Sequence, residues 1–268
     1  MSVATILDLA EAAAEADGAA PLDEATLMTL RRHPDRVQSW VRGGGFALVT
    51  GDELSLVVHP GSRGRGLGRS LLESALAEVD AVRAWSHGDH PAAAALAASH
   101  GFDRFRELWV MRRDMSQPLP AYDGARVRGY LPSDAGEVLR VNAAAFAHHP
   151  EQGAMDADNL AERMAEPWFD PAGLLVAPDG DRLLGFHWTK QHSPSLGEVY
   201  VVGIDPAAQG RGLGKLLTLA GLHHLRDRGV DEVLLYVESD NAPAVAVYSK
   251  LGFRHDAADT HVMYRRAR

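Results

Sequence analysis

The chain has 268 residues, and at roughly 150 residues per domain this length predicts two domains. Its apolar fraction of 46% and charged fraction of 24% are typical of a globular protein, which disfavours a disordered, collagen-like or membrane-embedded chain. The net charge of −9 gives no strong positive field for a nucleic-acid backbone, and the lack of cysteine excludes disulfides, thiolate nucleophiles and Cys-ligated zinc.

The beginning of the chain carries no pattern of a targeting segment. The first 20 residues are rich in alanine and acidic residues, and no basic start is followed by an apolar stretch. No run of 18 apolar residues occurs anywhere in the sequence. We therefore expect a cytoplasmic protein without a membrane span, and the absence of cysteine suits a reducing compartment.

The first half is predicted to be the shorter version of a mixed α/β domain. The twenty or so residues between Val37 and Val58 must supply all of its early strands, and Thr50-Gly51-Asp52-Glu53 is predicted to be a hairpin turn. The alanine run over 92–98 predicts a helix of small side chains. Two prolines in the segment 116–120 interrupt any regular element, so we place the joint there, between domains at 1–118 and 122–268.

The second half has clearer element signals. Pro132-Ser133-Asp134 predicts a helix start with Ser133 or Asp134 as its cap, and a turn is expected at 178–181. The predicted elements in order are a strand at 127–131, a helix after 134, strands from Leu174, Leu183 and Glu198, a helix over 212–228, a strand over 233–237, a helix over 242–251 and a strand near 261–264.

An internal repeat relates the two halves. The string Gly64-Arg65-Gly66-Leu67-Gly68 recurs 146 residues later at 210–214, in both cases after a hydrophobic strand and a proline. A second landmark follows in the same order, since Gly101-Phe102 matches Gly252-Phe253. Two landmarks in one order indicate a duplication, and the fold class predicted is α/β with a mixed sheet in two copies of one domain.

The repeated loop has the composition of a phosphate-binding turn. Glycines allow the backbone to approach a ligand closely, and a helix N-terminus adds about half a positive charge. Arg211 and Lys215 are placed to add positive charge. One such loop taken alone is as well explained by a tight strand-to-helix connection, and neither G-x-G-x-x-G nor a P-loop ending is present. The presence of two copies favours a ligand.

Two signatures in the second half resemble the GNAT acetyltransferase superfamily. Gln209 to Gly214 and Arg63 to Gly68 match its pyrophosphate-loop pattern Gln/Arg-x-x-Gly-x-Gly/Ala, and Asn241…Tyr248…Gly252-Phe253 is similar to its second signature. The resemblance implies acetyl-CoA as co-substrate and no metal. It implies contacts to acetyl-CoA from Val202, Gly203, Ile204, Gln209, Gly210, Arg211, Gly212, Leu213, Gly214, Lys215, Asn241, Ala242, Pro243, Ala244, Val245 and Ala246.

In the first half the matching positions are Leu56, Val57, Val58, Gly64, Arg65, Gly66, Leu67, Gly68 and Arg69. Here His90 replaces Asn241 and Ala97 replaces Tyr248, so no donor for a leaving thiolate is evident. We expect catalysis in the second copy only. The first copy is expected to be structural, and whether its loop still binds CoA is left open.

A narrower resemblance connects the second half to the mycothiol synthase family. It rests on the segments at 144–153, 168–171, 184–190 and 197–206, and it is thinner in the first half. That family is a tandem GNAT enzyme, and the resemblance implies acetyl transfer to the cysteine amine of a cysteinyl-glucosaminyl-inositol. Alternatives left open are a GNAT enzyme for another amine and a non-catalytic CoA-binding module.

The resemblance also assigns roles to individual residues. Glu198 is implied as the catalytic base and Tyr248 as the donor to the CoA sulfur, and the substrate positions are Glu24, Glu151, Lys190, Glu198 and Tyr236. Structural interpretations of three of these residues remain as alternatives. Glu24 can be part of an acidic helix start, Lys190 an extended edge residue, and Tyr248 a core tyrosine. The thirteen histidines are expected to be surface or capping residues rather than metal ligands, and the chain is expected to be a monomer.

Overall fold

The computed structural model describes residues 3–79, 83–148 and 152–266, and the chain forms two compact units. The first unit comprises Met1–Trp109, Glu238–Asp240 and Asp256–Arg268, and the second comprises Val110–Val237 and Asn241–His255. Two strands, at 102–114 and 254–266, therefore contribute residues to both units. The predicted domains at 1–118 and 122–268 divide the chain at one position. Each of the two units, by contrast, is made of separate segments of the chain.

The first unit is built from four helices and a mixed sheet. Its elements in order are α1 (Val3–Asp17), α2 (Glu24–Arg32), β1 (Val37–Arg42), β2 (Gly45–Thr50), β3 (Glu53–Val58), α3 (Leu67–Leu76), β4 (Arg83–Ser86), α4 (Pro91–Ser99), the first part of β5 (Phe102–Asp114) and the last part of β11 (Arg254–Arg266). The strand order is β1-β2-β3-β4-β11, with β3 and β4 parallel and the other neighbours antiparallel.

Strand β2 shows why this sheet is covered on both faces. Its residues 45–49 are all buried, and successive side chains of a strand point to opposite sides. Phe46 and Leu48 belong to a core cluster with Ile6 and Ala10 of α1. Ala47 and Val49 belong to a second cluster, formed with residues of α3 such as Leu71. The three short strands β1, β2 and β3 thus form the early part of the sheet in the first copy.

The second unit repeats this plan with an additional short first strand. Its elements in order are β6 (Arg128–Gly129), α5 (Ala135–Ala145), α6 (Ala157–Met164), β7 (Leu174–Asp179), β8 (Arg182–Gln191), β9 (Leu196–Ile204), α7 (Leu213–Asp227), β10 (Glu232–Glu238) and α8 (Ala242–Lys250). The strand order is β10-β9-β8-β7-β6, with β9 and β10 parallel and the other pairs antiparallel.

Strand β8 lies at the centre of the second unit's core. Phe186 and Trp188 are fully buried and pack with Val138 and Val141 of α5. The intervening His187 points to the opposite side, where its Nδ1 lies 2.8 Å from the carbonyl oxygen of Leu217 in α7. The alternation places one helix layer on each face of the sheet, which is the same three-layer arrangement as in the first unit.

The predicted elements of the second half are present, with differences at their ends. Asp134 does precede α5, but its carboxylate accepts from the backbone N–H of Leu131 at 2.7 Å and pairs with Arg128, and makes no cap bond to the helix. The predicted cap position is confirmed, since Asp134 is the N-cap residue of α5, but its side chain bonds within the preceding 3₁₀ turn at Pro132–Asp134 and not to the helix. The final strand starts at Arg254, earlier than expected, and the hairpin turn at Gly51-Asp52 is confirmed.

Candidate active site

Strands β9 and β10 separate at the carboxyl end of their parallel pair. Their register runs from Leu196↔Glu232 to Val199↔Leu235 and stops there, although both strands continue. A β-bulge inserts Tyr200 opposite the Trp188/Thr189 step of β8, which bends β9 at the same point. Backbone groups of Val202, Gly203 and Ile204 that point toward β10 therefore have no ladder partner on that strand. This is the opening in which a ligand can pair with the backbone.

The glycine-rich loop follows directly at the end of β9. Gly210 and Gly212 have φ values of +77° and +73°, a left-handed conformation that side chains with a Cβ rarely adopt. A Cβ added at either position would meet no described atom within 4 Å. Gly212 precedes α7 without any side-chain cap, so the first amides of this 15-residue helix point out of the turn. The loop is shaped to receive an anion.

The loop is anchored from the opposite helix. The Asp205 carboxylate, immediately before Pro206, accepts from the Arg140 guanidinium at 2.6 Å and from the backbone N–H of Ala207 at 2.9 Å. Arg140 also pairs with Glu137, and this pairing lowers the pKa of the Glu137 carboxyl to about 2. The start of the loop is thus fixed by an ion-pair network that the sequence did not reveal, because its members lie 65 residues apart.

Helix α8 is placed by the second predicted signature. The Asn241 side-chain oxygen accepts from the backbone N–H of Ala244 at 3.2 Å and so caps the helix. Tyr248, on the second turn, is half-buried, and its ring packs edge-on against Phe253 at 5.9 Å between centroids. Burial raises the pKa of the Tyr248 hydroxyl to about 12. The phenol therefore keeps its proton throughout the neutral and mildly alkaline range.

Glu198 lies at the beginning of β9, just before the bulge. It is only 5% exposed and stands directly opposite Lys190 of β8 and Leu234 of β10 in the sheet register. One carboxylate oxygen, Oε2, lies 2.6 Å from Nε2 of His192. Glu198 is thus a buried acidic group with a hydrogen-bond partner, which is the usual condition for such a group.

Lys190 extends over an aromatic surface on the same face of the sheet. Its Nζ lies 4.5 Å from the ring centroid of Trp168 and 5.2 Å from that of Tyr200. The Tyr200 hydroxyl accepts from Arg163 at 2.8 Å. Cation–π contacts of this kind hold an ammonium group in a defined place. Lys190 is therefore an ordered residue beside Glu198.

The remaining predicted acceptor residues are dispersed. Tyr236 of β10 is 44% exposed. Glu24 lies in the first turn of α2 in the first unit, where Asp23 caps the helix through the backbone N–H of Thr26 at 2.6 Å. The position of Glu24 fits the simpler reading of an acidic helix start as well as the functional one. Glu151 lies outside the described residues.

The first copy repeats the loop geometry of the second. Gly64 and Gly66 have φ values of +73° and +79°, and Gly66 precedes α3 as Gly212 precedes α7. The parallel pairing of β3 with β4 likewise ends early, at Leu54↔Ala84. His90 Nδ1 accepts from the backbone N–H of Ala92 at 3.2 Å, so His90 caps α4 as Asn241 caps α8.

A cavity of about 570 Å³ lies beside this first loop. Its lining includes residues 56–58 of β3, the glycine turn, Trp85, His87 and residues of α4. His87 lies with its Nδ1 3.0 Å from that of His261, and burial lowers the pKa of His87 to about 4. The Arg63 guanidinium at the start of the loop is held by Asp17 of α1 through two bonds of 2.6 and 2.8 Å.

Within residues 3–79, 83–148 and 152–266, none of the helices combines the length and apolarity required to cross a bilayer. Over the same ranges, His, Asp and Glu side chains nowhere converge in a group of three or more suited to a metal ion.

The fold and the loop define the class of this protein. Residues 143–253 match the model of the acetyltransferase (GNAT) family. A tandem GNAT protein from the clavulanic acid biosynthesis pathway superimposes with a TM-score of 0.70 over 98% of this chain and 94% of its own, at 23% identity. A GCN5-related N-acetyltransferase from Sphaerobacter thermophilus superimposes with a TM-score of 0.66, covering 98% and 91%, at 22% identity. The chain has the tandem GNAT fold.

More similar sequences identify the particular family. A mycothiol acetyltransferase from a Nocardioides species is 67% identical over 98% of this chain and 97% of its own length. Another, from Catenulispora acidiphila, is 48% identical over 98% and 95%. The chain belongs to the mycothiol acetyltransferase family, which is the mycothiol synthase family under its other name, and it is an acetyl-CoA-dependent N-acetyltransferase.

Proposed function

We propose that this enzyme transfers the acetyl group of acetyl-CoA to the cysteine amine of a cysteinyl-glucosaminyl-inositol, the last step of mycothiol formation. The observation that carries the proposal is the 67% identity to a mycothiol acetyltransferase along nearly the whole length of both chains. The acceptor is a polar pseudo-disaccharide with a cationic amine. Glu198 and Lys190, which lie opposite each other in the sheet beside the β9–β10 opening, suit such a substrate.

In this proposal the second copy performs the reaction. Amides of Val202, Gly203 and Ile204 would bind the pantetheine arm and stabilise the oxyanion, since β9 has no partner on β10 there. The pyrophosphate would lie on residues 209–215 at the N-terminus of α7, and residues 241–246 of α8 would complete the cofactor site. Arg211 and Lys215 are exposed and would supply positive charge at this turn.

Glu198 is the proposed general base. Attack on the thioester requires a neutral amine, so the acceptor ammonium must first lose a proton. Glu198 is a buried carboxylate next to the opening between β9 and β10 and can take that proton through a water molecule. Tyr248 is the proposed general acid, because its phenol remains protonated and can donate to the leaving thiolate of CoA.

Residues for the acceptor are proposed on the same unit. Lys190 and Tyr236, together with Glu198, are the positions expected to contact the pseudo-disaccharide, and the aromatic rings that order Lys190 extend this surface. Glu24 and Glu151 keep the same proposed role on the basis of the family pattern alone.

We infer that the first copy is not catalytic but retains a CoA-binding loop. Ala97 stands where Tyr248 stands in the second copy, and Asp52, which aligns with Glu198, lies in a turn where it pairs with Arg83 at 2.6 Å. The 570 Å³ cavity at residues 56–58 and 64–69 supports ligand binding there. We further propose a monomer in the cytoplasm that binds neither nucleic acid nor membranes and needs no metal.

The experiment is incubation with acetyl-CoA and the cysteinyl pseudo-disaccharide, with the product identified by mass and by NMR at the cysteine nitrogen. We expect acetylation of the amine, with a higher kcat/KM than for an aminoglycoside, a polyamine or an N-terminal peptide. A preference for one of those amines would assign a different acceptor. Absence of turnover with every amine would favour a non-catalytic CoA-binding protein.

A further inference from the structure

The Glu198 carboxylate is hydrogen-bonded to a side chain that reaches solvent. His192 follows β8 in the hairpin to β9, and its Nε2 lies 2.6 Å from Oε2 of Glu198. The Glu198 side chain is 7% exposed, whereas that of His192 is 34% exposed. Because the imidazole has two nitrogens, it can contact the buried carboxylate with one and water with the other.

The hairpin holds the ring in place. The backbone N–H of His192 donates to the carbonyl of Leu196 at 2.9 Å. The Ser193 hydroxyl oxygen accepts from the backbone N–H of Leu196 at 3.1 Å, closing the same turn. The backbone that carries His192 is therefore fixed within the β8–β9 connection.

Other charged and titratable groups around the pair come from each neighbouring strand and helix. Lys190 lies opposite Glu198 on β8, and Tyr236 follows its β10 partner Leu234 by two residues, on the same face. Arg228, just after α7, donates to Gln191 next to His192 at 2.9 Å. On the far side, Arg163 of α6 binds Tyr200. The contact of His192 with the Glu198 carboxylate is a direct one, at 2.6 Å between Nε2 and Oε2.

We propose that His192 is a positioning and proton-transfer residue that carries the acceptor's proton from Glu198 to solvent. The inference rests on the proposed role of Glu198 as general base. The acceptor ammonium loses a proton and becomes a neutral amine, and the Glu198 carboxylate becomes a carboxylic acid. Glu198 then passes that proton to Nε2 of His192 in its Nδ1–H tautomer, and the ring releases the Nδ1 proton to water. Both side chains return to their starting charge with the ring as the Nε2–H tautomer, and proton exchange between the partly exposed ring and water restores the Nδ1–H tautomer before the next turnover.

The test compares His192→Ala, His192→Gln and Glu198→Gln with the unaltered enzyme. Glutamine keeps an N–H that can orient the carboxylate but does not relay a proton. We expect both His192 variants to lower kcat at least about tenfold with little change in the KM for acetyl-CoA, and to alter the pH profile of kcat. Added imidazole should restore kcat in His192→Ala in a concentration-dependent way and should not restore Glu198→Gln. His223→Ala, on the exposed side of α7, is the matched histidine control.

The outcomes separate this inference from the proposed function. Unchanged kcat in His192→Ala would overturn the inference while leaving Glu198 as the base. Full activity of His192→Gln together with no response of His192→Ala to imidazole would overturn it too, since His192 would then only orient the carboxylate. Full activity of Glu198→Gln would instead remove the base assigned in the proposed function.

Discussion

At the scale of single residues, Tyr248 and Glu198 owe their properties to different environments. Tyr248 has its pKa raised by burial, because ionisation would place a phenolate among apolar side chains. Glu198 is more completely buried, yet it has a histidine at hydrogen-bond distance and a lysine opposite in the sheet. One group therefore holds its proton tightly, while the other lies at hydrogen-bond distance from a second titratable side chain.

Tyr248→Phe should lower kcat about 10²-fold or more, because the leaving thiolate loses its proton donor. Since the pKa of Tyr248 is about 12 rather than 10, the phenol stays protonated, and the ratio of kcat between the two proteins should stay constant up to about pH 10.5. Steady-state kcat measured across this range tests both points. If Tyr248→Phe and the unaltered enzyme had equal kcat at neutral pH, Tyr248 would not be the proton donor. If the ratio of their kcat values fell above pH 9.5, the raised pKa of Tyr248 would be contradicted.

At the scale of elements, the packing of α7 on β8 depends on a glycine. A Cβ at Gly221 would lie 2.0 Å from Cε1 of His187, which is fully buried and hydrogen-bonded to Leu217. The ring cannot move away without losing that bond or disturbing its neighbours. The close approach of helix and strand in turn fixes the helix whose N-terminus forms the glycine turn.

Gly221→Ala should therefore lower the free energy of unfolding by roughly 1–3 kcal/mol, the usual cost of overpacking a core. Gly136→Ala in α5 is the matched control, since a Cβ there meets no described atom within 4 Å. This control should raise the free energy of unfolding by up to about 1 kcal/mol through helix propensity. Urea unfolding, with unchanged m-values, measures the free energy of unfolding of both variants. Equal stability of Gly221→Ala and Gly136→Ala would show that α7 can shift away from β8.

At the scale of the whole molecule, one loop has been kept in two copies of a domain while the surrounding groups have diverged. The glycine positions with left-handed φ are the same in both loops, and each helix after them starts at the corresponding residue. The first copy lacks the tyrosine and has Arg63 engaged by Asp17. Binding and chemistry can therefore be tested separately in the two copies.

Gly212→Val and Gly66→Val form a matched pair for this test, because valine strongly disfavours φ values of +73° and +79°. Gly212→Val should weaken acetyl-CoA binding at the second copy about 10- to 100-fold, equal to roughly 1.5–3 kcal/mol of charge-assisted hydrogen bonding. Gly66→Val should leave kcat unchanged and remove one bound acetyl-CoA by titration calorimetry. Gly229→Val, at φ +82° away from both loops, controls for backbone strain. Loss of turnover in Gly66→Val alone would contradict a non-catalytic first copy.

Much of the fold was predictable because the signals are local. Hydrophobic alternation and turn residues placed the strands and helices of the second half. Gly210 and Gly212 lie between a strand and a helix as expected, and the structure adds that both have left-handed φ values. Asp134 is the N-cap residue of α5 as predicted, but its carboxylate bonds to Arg128 and to the backbone N–H of Leu131 and makes no cap bond to the helix. Competition between nearby hydrogen-bond partners is decided by backbone geometry, which the residue type alone does not determine.

The sequence by itself determined the duplication, the two loops and the family, since each rests on residues close together in the chain. Only the tertiary structure decided that β9 leaves β10 after Val199, that Arg140 anchors the loop across 65 residues, and that His192 reaches Glu198. The physical reason is register. A single bulge at Tyr200 changes which side chains share a face of the sheet. No local pattern in the sequence predicts this bulge.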